Sequence, residues 1–151
     1  MLKNIDPVLS PDLLKVLAEM GHGDEIAVVD ANFTATSLAV GKPLIRLPGL
    51  GVPRVCQAVL SLLPLDAAVA QPVAFMAVGG QPESYRSALQ REVIEALASS
   101  GFARPEQCEP MERFAFYERV RRCHAVVQTG ELQPWANFLF KKGVIAEALR
   151  P

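Results

Sequence analysis

Gly21-His22-Gly23-Asp24-Glu25-Ile26-Ala27-Val28-Val29-Asp30 is the stretch from which the rest of the chain is best read. Its second half, Glu25–Asp30, is a short β-branched run with a carboxylate at its C-terminal end. Continuous apolar character of this kind predicts a strand covered on both faces. The segment before it predicts a helix. Ser10 is placed to cap it, Pro11 takes the first helical position and Asp12 stands in the first turn. Leu13, Leu14, Leu17 and Met20 mark its apolar face, and Gly21 or Gly23 ends it.

Working outward, Ala31–Ser37 is polar and small and reads as a loop. Pro43–Leu47 reads as a strand, and Pro53 opens a helix to about Leu63, with Val55, Val59, Leu62 and Leu63 inward. Val73–Val78 is a further buried strand, and Pro82–Ser99 is the longest helix. A turn-rich stretch then leads to a short helix over Met111–Val120, whose charges, with those of Arg121 and Arg122, read as a solvated face. His124–Gln128 and Asn137–Phe140 are strands, and the tail after Ile145 reads as helical or frayed. Strands alternating with helices and no long linker predict one α/β domain over residues 1–151, a central sheet flanked by helices.

Composition narrows the class. With 15 basic and 16 acidic residues in 151, the net charge of −1 gives no electrostatic footprint for nucleic acid. The mean hydropathy of +0.22 is high, yet Gln57–Leu65 and Pro72–Val78 are too short to span a membrane. The excess is expected to be buried between subunits, although a generously packed monomer gives a similar value. Cys56, Cys108 and Cys123 are odd in number and widely spaced, which suits reduced thiols in the cytoplasm. The N-terminus lacks the apolar core of a signal peptide.

Chemistry concentrates in few places. His22 lies between two glycines that leave its imidazole open to a small molecule. Asp30 ends a strand, where ligand sites of α/β sheets gather. An imidazole gives and takes protons near neutral pH, though spacing alone favours a loop histidine or a helix C-cap. Arg113 offers several fixed donors to a sugar hydroxyl, or pairs with Glu109 or Glu112. Tyr117 offers a phenol or packs in the core. Trp135, the one tryptophan, precedes Ala136 and Asn137; sugars stack on an indole and pair with amides, while packing at an interface explains Trp135 equally well. Gly49-x-Gly51 is neither a dinucleotide fingerprint nor a P-loop. His22 and His124 with the scattered cysteines lack metal-ligand spacing, and no serine-hydrolase elbow occurs.

Taken together, Leu13–Ile26, Asp30-Ala31, Arg113–Arg119, Thr129-Gly130-Glu131, Asn137 and Lys142-Gly143-Val144 resemble the L-fucose mutarotase and ribose pyranase family. The resemblance runs from about Leu2 to Val144 and is closer to the fucose type. It implies interconversion of sugar anomers without a cofactor, by acid/base ring opening and closure. By that resemblance His22 is the catalytic histidine and Asp30 the carboxylate that binds sugar and orients the site. Arg113 falls on the fucose-type arginine. Trp135, Ala136 and Asn137 fall on the sugar-contacting segment, with an indole where the family has a phenol, which leaves Tyr117 or water to share in proton transfer. Asn32 and Thr36 stand where the fucose-type pattern has histidines. The resemblance also implies a homodecamer of two stacked pentamers, with sites between neighbouring subunits. A monosaccharide-binding protein of the same fold, without catalysis, is the alternative.

Overall fold

A computed structural model describes residues 2–145, so the tail after Ile145 lies outside the described residues. The elements, in chain order, are α1 (Pro11–Glu19), β1 (Glu25–Val29), α2 (Ala35–Leu38), β2 (Leu44–Leu47), α3 (Val52–Leu60) and β3 (Val73–Met76). They continue with α4 (Ala88–Ser99), a 3₁₀ turn (Pro105–Gln107), β4 (Cys108–Met111), α5 (Arg113–Arg122), β5 (Ala125–Thr129) and β6 (Phe138–Lys141). The strands form one six-stranded sheet in the order β2-β5-β1-β6-β3-β4.

Five strands run the same way and β6 alone is reversed between β1 and β3. One edge of the sheet therefore gathers the C-terminal ends of β1 to β5 and the start of β6. The opposite edge gathers the residues before β1 and those after β6.

Every residue of β1 is buried, as its unbroken apolar run requires. Ile26, Val28, Val73, Phe75, Val127, Phe138 and Phe140 face α1, α3 and α4 in one layer of core. Ala27, Val29, Ala74, Met76, Val126 and Leu139 face α2 and α5 in the other. Alternation along each strand produces this split, since successive side chains point to opposite faces. Burying one such Phe or Leu is worth about 1.5–3 kcal/mol, so the two layers fix the sheet between the helices.

Several boundaries differ from the sequence expectation, each for a local reason. One helical turn, α2, forms within the expected loop and runs past it, because burying Ala35 and Leu38 repays a single turn. The expected helix over Pro82–Ser99 begins only at Ala88, where Ser87 and Gln90 form a reciprocal capping box and satisfy the first free N–H groups. Leu62 is exposed (40%), since α3 has already ended and the residue lies in the following turn. The stretch expected to be turns contains β4; it tolerates Pro110 because it is an edge strand, where a missing N–H costs no ladder bond. Ser10 caps α1 through the Leu13 N–H, as expected.

The charged residues of α5 are not uniformly solvated. Arg119 donates through Nε and Nη2 to the Glu25 carboxylate and through Nη1 to Glu109, 2.5 Å away, and Lys141 Nζ lies 3.2 Å from Glu25. Burial alone raises the Glu25 pKa, but the Arg119 and Lys141 contacts outweigh it and hold the carboxyl below its ordinary value.

Candidate functional site

Asp30 directly follows β1 and is 3% exposed. Its own N–H donates to Asn137 Oδ1, and Asn137 Nδ2 donates back to Asp30 Oδ2, each at 3.0 Å. The Asn32 N–H donates to Asp30 Oδ1 at 3.0 Å. Burial pushes the Asp30 pKa above the ordinary aspartate value, and the bonds from Asn137, Asn32, Phe33 and Ala136 offset this only in part. Asn137, placed at the start of β6, is itself buried and uses its amide to join the reversed strand to the end of β1.

Around this pair lies a cleft of about 250 Å³ lined by Asp30, Asn32, Phe33, Met76, Arg113, Tyr117, Pro134, Trp135 and Asn137. A second lobe of about 570 Å³ shares Arg113 and Trp135 with it and continues along Ala77–Gln81, Glu83, Pro110 and Glu112. Arg113 and Trp135 thus stand between two lobes of one depression. Arg113 is the first residue of α5, and its guanidinium lies 4.6 Å from the centre of the Phe114 ring. Neither expected carboxylate pairs with it: Glu109 binds Arg119, and Glu112 caps α5 by accepting from the Phe114 and Ala115 N–H groups. Its donors are therefore available to the cleft. Tyr117, one turn on, packs edge-on against Phe33 and Phe114.

Trp135 holds a left-handed backbone angle, φ 67°, which costs a non-glycine residue about 1–3 kcal/mol. Gln90, fully buried, holds it there by donating to the Trp135 carbonyl at 3.0 Å and to the Met76 carbonyl at 2.8 Å. Ala136 is buried directly behind the cleft rather than lining it. Thr129 and Gly130 line a neighbouring depression instead, while the Thr129 hydroxyl donates to the Val29 carbonyl and the Ala31 N–H to the Glu131 carbonyl. Gly130 cannot carry a side chain, because a Cβ there would overlap the Pro48 carbonyl.

His22 is elsewhere. It precedes β1 at the opposite edge of the sheet, half-exposed, with Nε2 3.2 Å from Asp66 Oδ1. At about 3.3 Å per residue, the five steps from Glu25 to Asp30 carry the chain about 16 Å from one end of the sheet to the other. Within one chain the carboxylate beside His22 is thus that of Asp66, which follows the Leu65 bridge to Lys142 and whose N–H donates to the Lys141 carbonyl. The Asp66 pKa is lowered, chiefly by the Ala68 N–H donating to it and further by His22. Asp30, Arg113, Tyr117, Trp135 and Asn137 come together; His22 does not join them.

The model of the RbsD / FucU transport protein family matches residues 3–145. The chain belongs to that family. Fucose mutarotase of Bos taurus is 44% identical over 97% of this chain and 95% of its own length. L-fucose mutarotase of Actinobacillus pleuropneumoniae is 42% identical over 95% of this chain and 97% of its own. The crystal structure of the Streptococcus pneumoniae fucose mutarotase in complex with L-fucose superposes with a TM-score of 0.87 at 38% identity, covering 96% of this chain and all of that one. The α/β layering expected from the sequence is thus the RbsD / FucU fold. Its reversed β6 is what delivers Asn137 to Asp30.

Asp66, Gln90, Phe33, Met76 and the Ala77–Gln81 loop escaped the sequence reading. The loop follows a strand, so the rule that sites gather at strand C-terminal ends could have drawn attention to it. Ser87-x-x-Gln90 carries the local mark of a capping box, yet nothing local shows that the Gln90 amide reaches Trp135, and nothing local marks Asp66 as the partner of His22. Among the described residues no three His, Cys, Asp or Glu side chains converge as a metal site would require, and no helix is long and apolar enough to cross a membrane.

Proposed function

We propose that this chain is a sugar mutarotase, one domain that interconverts the anomers of L-fucose or a closely related aldose. The observation that carries the reading is the buried Asp30–Asn137 pair facing Arg113, Tyr117 and the Trp135 indole across a monosaccharide-sized cleft. The family membership and the near full-length similarity to proteins named fucose mutarotase support it.

Ring opening needs a proton taken from the anomeric hydroxyl and one given to the ring oxygen; rotation and reclosure then yield the other anomer. Asp30, once ionised, accepts hydrogen bonds from sugar hydroxyls, and Asn137 and the Asn32 N–H hold it in place. The Arg113 guanidinium donates to oxygen as negative charge develops on it. Trp135 stacks on the C–H face of the ring but has no proton to exchange, which leaves that task to His22, with Tyr117 or water beside it.

Because His22 and Asp30 stand at opposite edges of one sheet, His22 of a neighbouring copy completes the site, with Asp66 of that copy orienting its imidazole. Two large apolar side chains near the cleft, Phe114 (60% exposed) and Leu132 (77% exposed), supply surface for such a contact. This supports a ring-like homo-oligomer, the stacked pentamers that the resemblance implies. The three buried free thiols support a cytoplasmic setting.

Saturation-transfer NMR on free L-fucose tests the reading. Anomer exchange faster than the uncatalysed rate, lost in His22→Ala, is the expected result. Saturable binding with unchanged exchange would establish a sugar-binding protein instead, and neither would overturn both.

A further inference from the structure

We infer that Gly79 is a specificity-determining residue of the sugar cleft, acting through the seat that its bare α-carbon gives the Trp135 indole. The inference rests on the sugar site proposed above and names a residue that no motif singles out.

Gly79 lies in the loop after β3, on the wall of the larger lobe. A Cβ built there would stand 2.9 Å from Cη2 and 3.3 Å from Cζ2 of Trp135. Those are the outer atoms of the benzo ring, so the tip of the indole rests on a loop position that carries no side chain; a Cβ on the neighbouring Gly80 would meet nothing within 4 Å. The backbone end of Trp135 is equally constrained. The carbonyl is bonded to the buried Gln90 amide, which also grips Met76 at the end of β3, and the Met76 N–H in turn donates to the Asn137 carbonyl at 3.0 Å. Clasped at one end and seated at the other, the indole is fixed as the partition between the two lobes, and its position sets the width left to a sugar beside Asp30.

A methyl group at position 79 would have to push the ring off its seat. The larger lobe is where the new methyl sits, so the ring is driven toward the smaller lobe, the space that Asp30, Asn137 and Tyr117 share with the sugar. Backbone strain does not confuse the substitution: Gly79 is exposed and is not among the residues with positive φ.

The test uses Gly79→Ala, Trp135→Phe and the double variant. Trp135 is the only tryptophan, so its emission reports the seat and sugar binding directly. Gly79→Ala is expected to shift that emission, lower Tm by no more than about 2–4 °C, and weaken L-fucose binding about fivefold, equivalent to about 1 kcal/mol. KM measured by NMR exchange should rise with it, while kcat changes less because the proton-transferring groups are untouched. L-galactose, which adds one hydroxyl to the exocyclic carbon of L-fucose, should lose more than L-fucose does. In the Trp135→Phe background, where no benzo ring reaches position 79, adding Gly79→Ala should leave KM unchanged.

Unaltered binding and emission in Gly79→Ala would overturn the inference while leaving the sugar site intact. So would equal losses for the two sugars, or the same loss in the Trp135→Phe background. A wild-type protein that neither binds nor exchanges any aldose would overturn the sugar site, and the inference with it.

Discussion

Two inactive variants, His22→Ala and Asp30→Asn, are expected to restore activity when they assemble together. One chain holds His22 before β1 and Asp30 after it, and the strand advances about 16 Å from Glu25 to Asp30 at about 3.3 Å per residue. On the proposed shared site, the imidazole comes from one copy and the carboxylate from another. In a ring assembled at random from equal amounts of the two variants, half the copies supply His22 and half supply Asp30. About one site in four is therefore complete, and the mixture should reach about a quarter of wild-type exchange per chain. Losing an acid/base group such as His22 typically costs 10²–10⁴-fold, and Asp30→Asn removes the carboxylate that holds the sugar, so each variant alone is expected near or below about 1% of wild type. The recovery stands well above that background. The assay is saturation-transfer NMR of L-fucose after co-expression, or after joint unfolding and refolding, with each variant alone as control. A mixture no more active than its components would refute the shared site, and with it the account of why His22 lies so far from Asp30.

Two further outcomes test the electrostatics. Arg119→Met leaves Glu25, 10% exposed at its side chain, with Lys141 as its remaining cationic partner. Breaking a buried pair costs about 3–5 kcal/mol; with Lys141 retained, about 2–3 kcal/mol is expected, read by calorimetry as a fall of roughly 5–10 °C in Tm. The Glu25 pKa is depressed in the fold, so its stabilisation is present above the ordinary glutamate range and is lost as pH falls through the depressed value. The gap between wild type and variant should close in acid; a gap independent of pH would contradict the assignment. Asp30 behaves oppositely. Its folded pKa is raised, so its contribution to stability is full below the ordinary aspartate value and is lost as pH rises through the raised one. In the proposed mechanism Asp30 acts in its ionised form, so the acid limb of kcat/KM should lie above the ordinary aspartate range. Asn137→Ala, which deletes a bond that favours the charge, should move that limb higher still, and an unmoved limb would count against Asp30 as the group responsible.

Local pattern was enough to place β1, the Ser10 cap and the strand-end carboxylate, because burial on both faces and helix capping leave their marks within a few residues. The same holds for the Trp135-Ala136-Asn137 segment just before β6. Arg113 and Arg119 show where local pattern stops. Both lie on α5; the sequence leaves Arg113 between a sugar contact and a pair with Glu109 or Glu112 and reads Arg119 with the solvated face, whereas the first faces the cleft and the second closes on Glu25 and Glu109. Their difference depends on which face of the sheet α5 covers, and no spacing in the sequence encodes that. Pro110 disguises β4 as a turn, and apolar periodicity over Pro82–Ser99 does not show that α4 starts only at the Ser87–Gln90 capping box.

Residue order specifies an α/β sheet with a histidine before its first strand and an aspartate after it, together with the family pattern that gives those residues meaning. Which residues share a site follows from how the strands are paired. The reversal of β6 brings Asn137 to Asp30 across 107 residues. The straightness of β1 keeps His22 away from both. A strand is a fixed ruler: residues at its two ends are close in sequence and cannot meet, whereas strands paired side by side bring distant residues into contact.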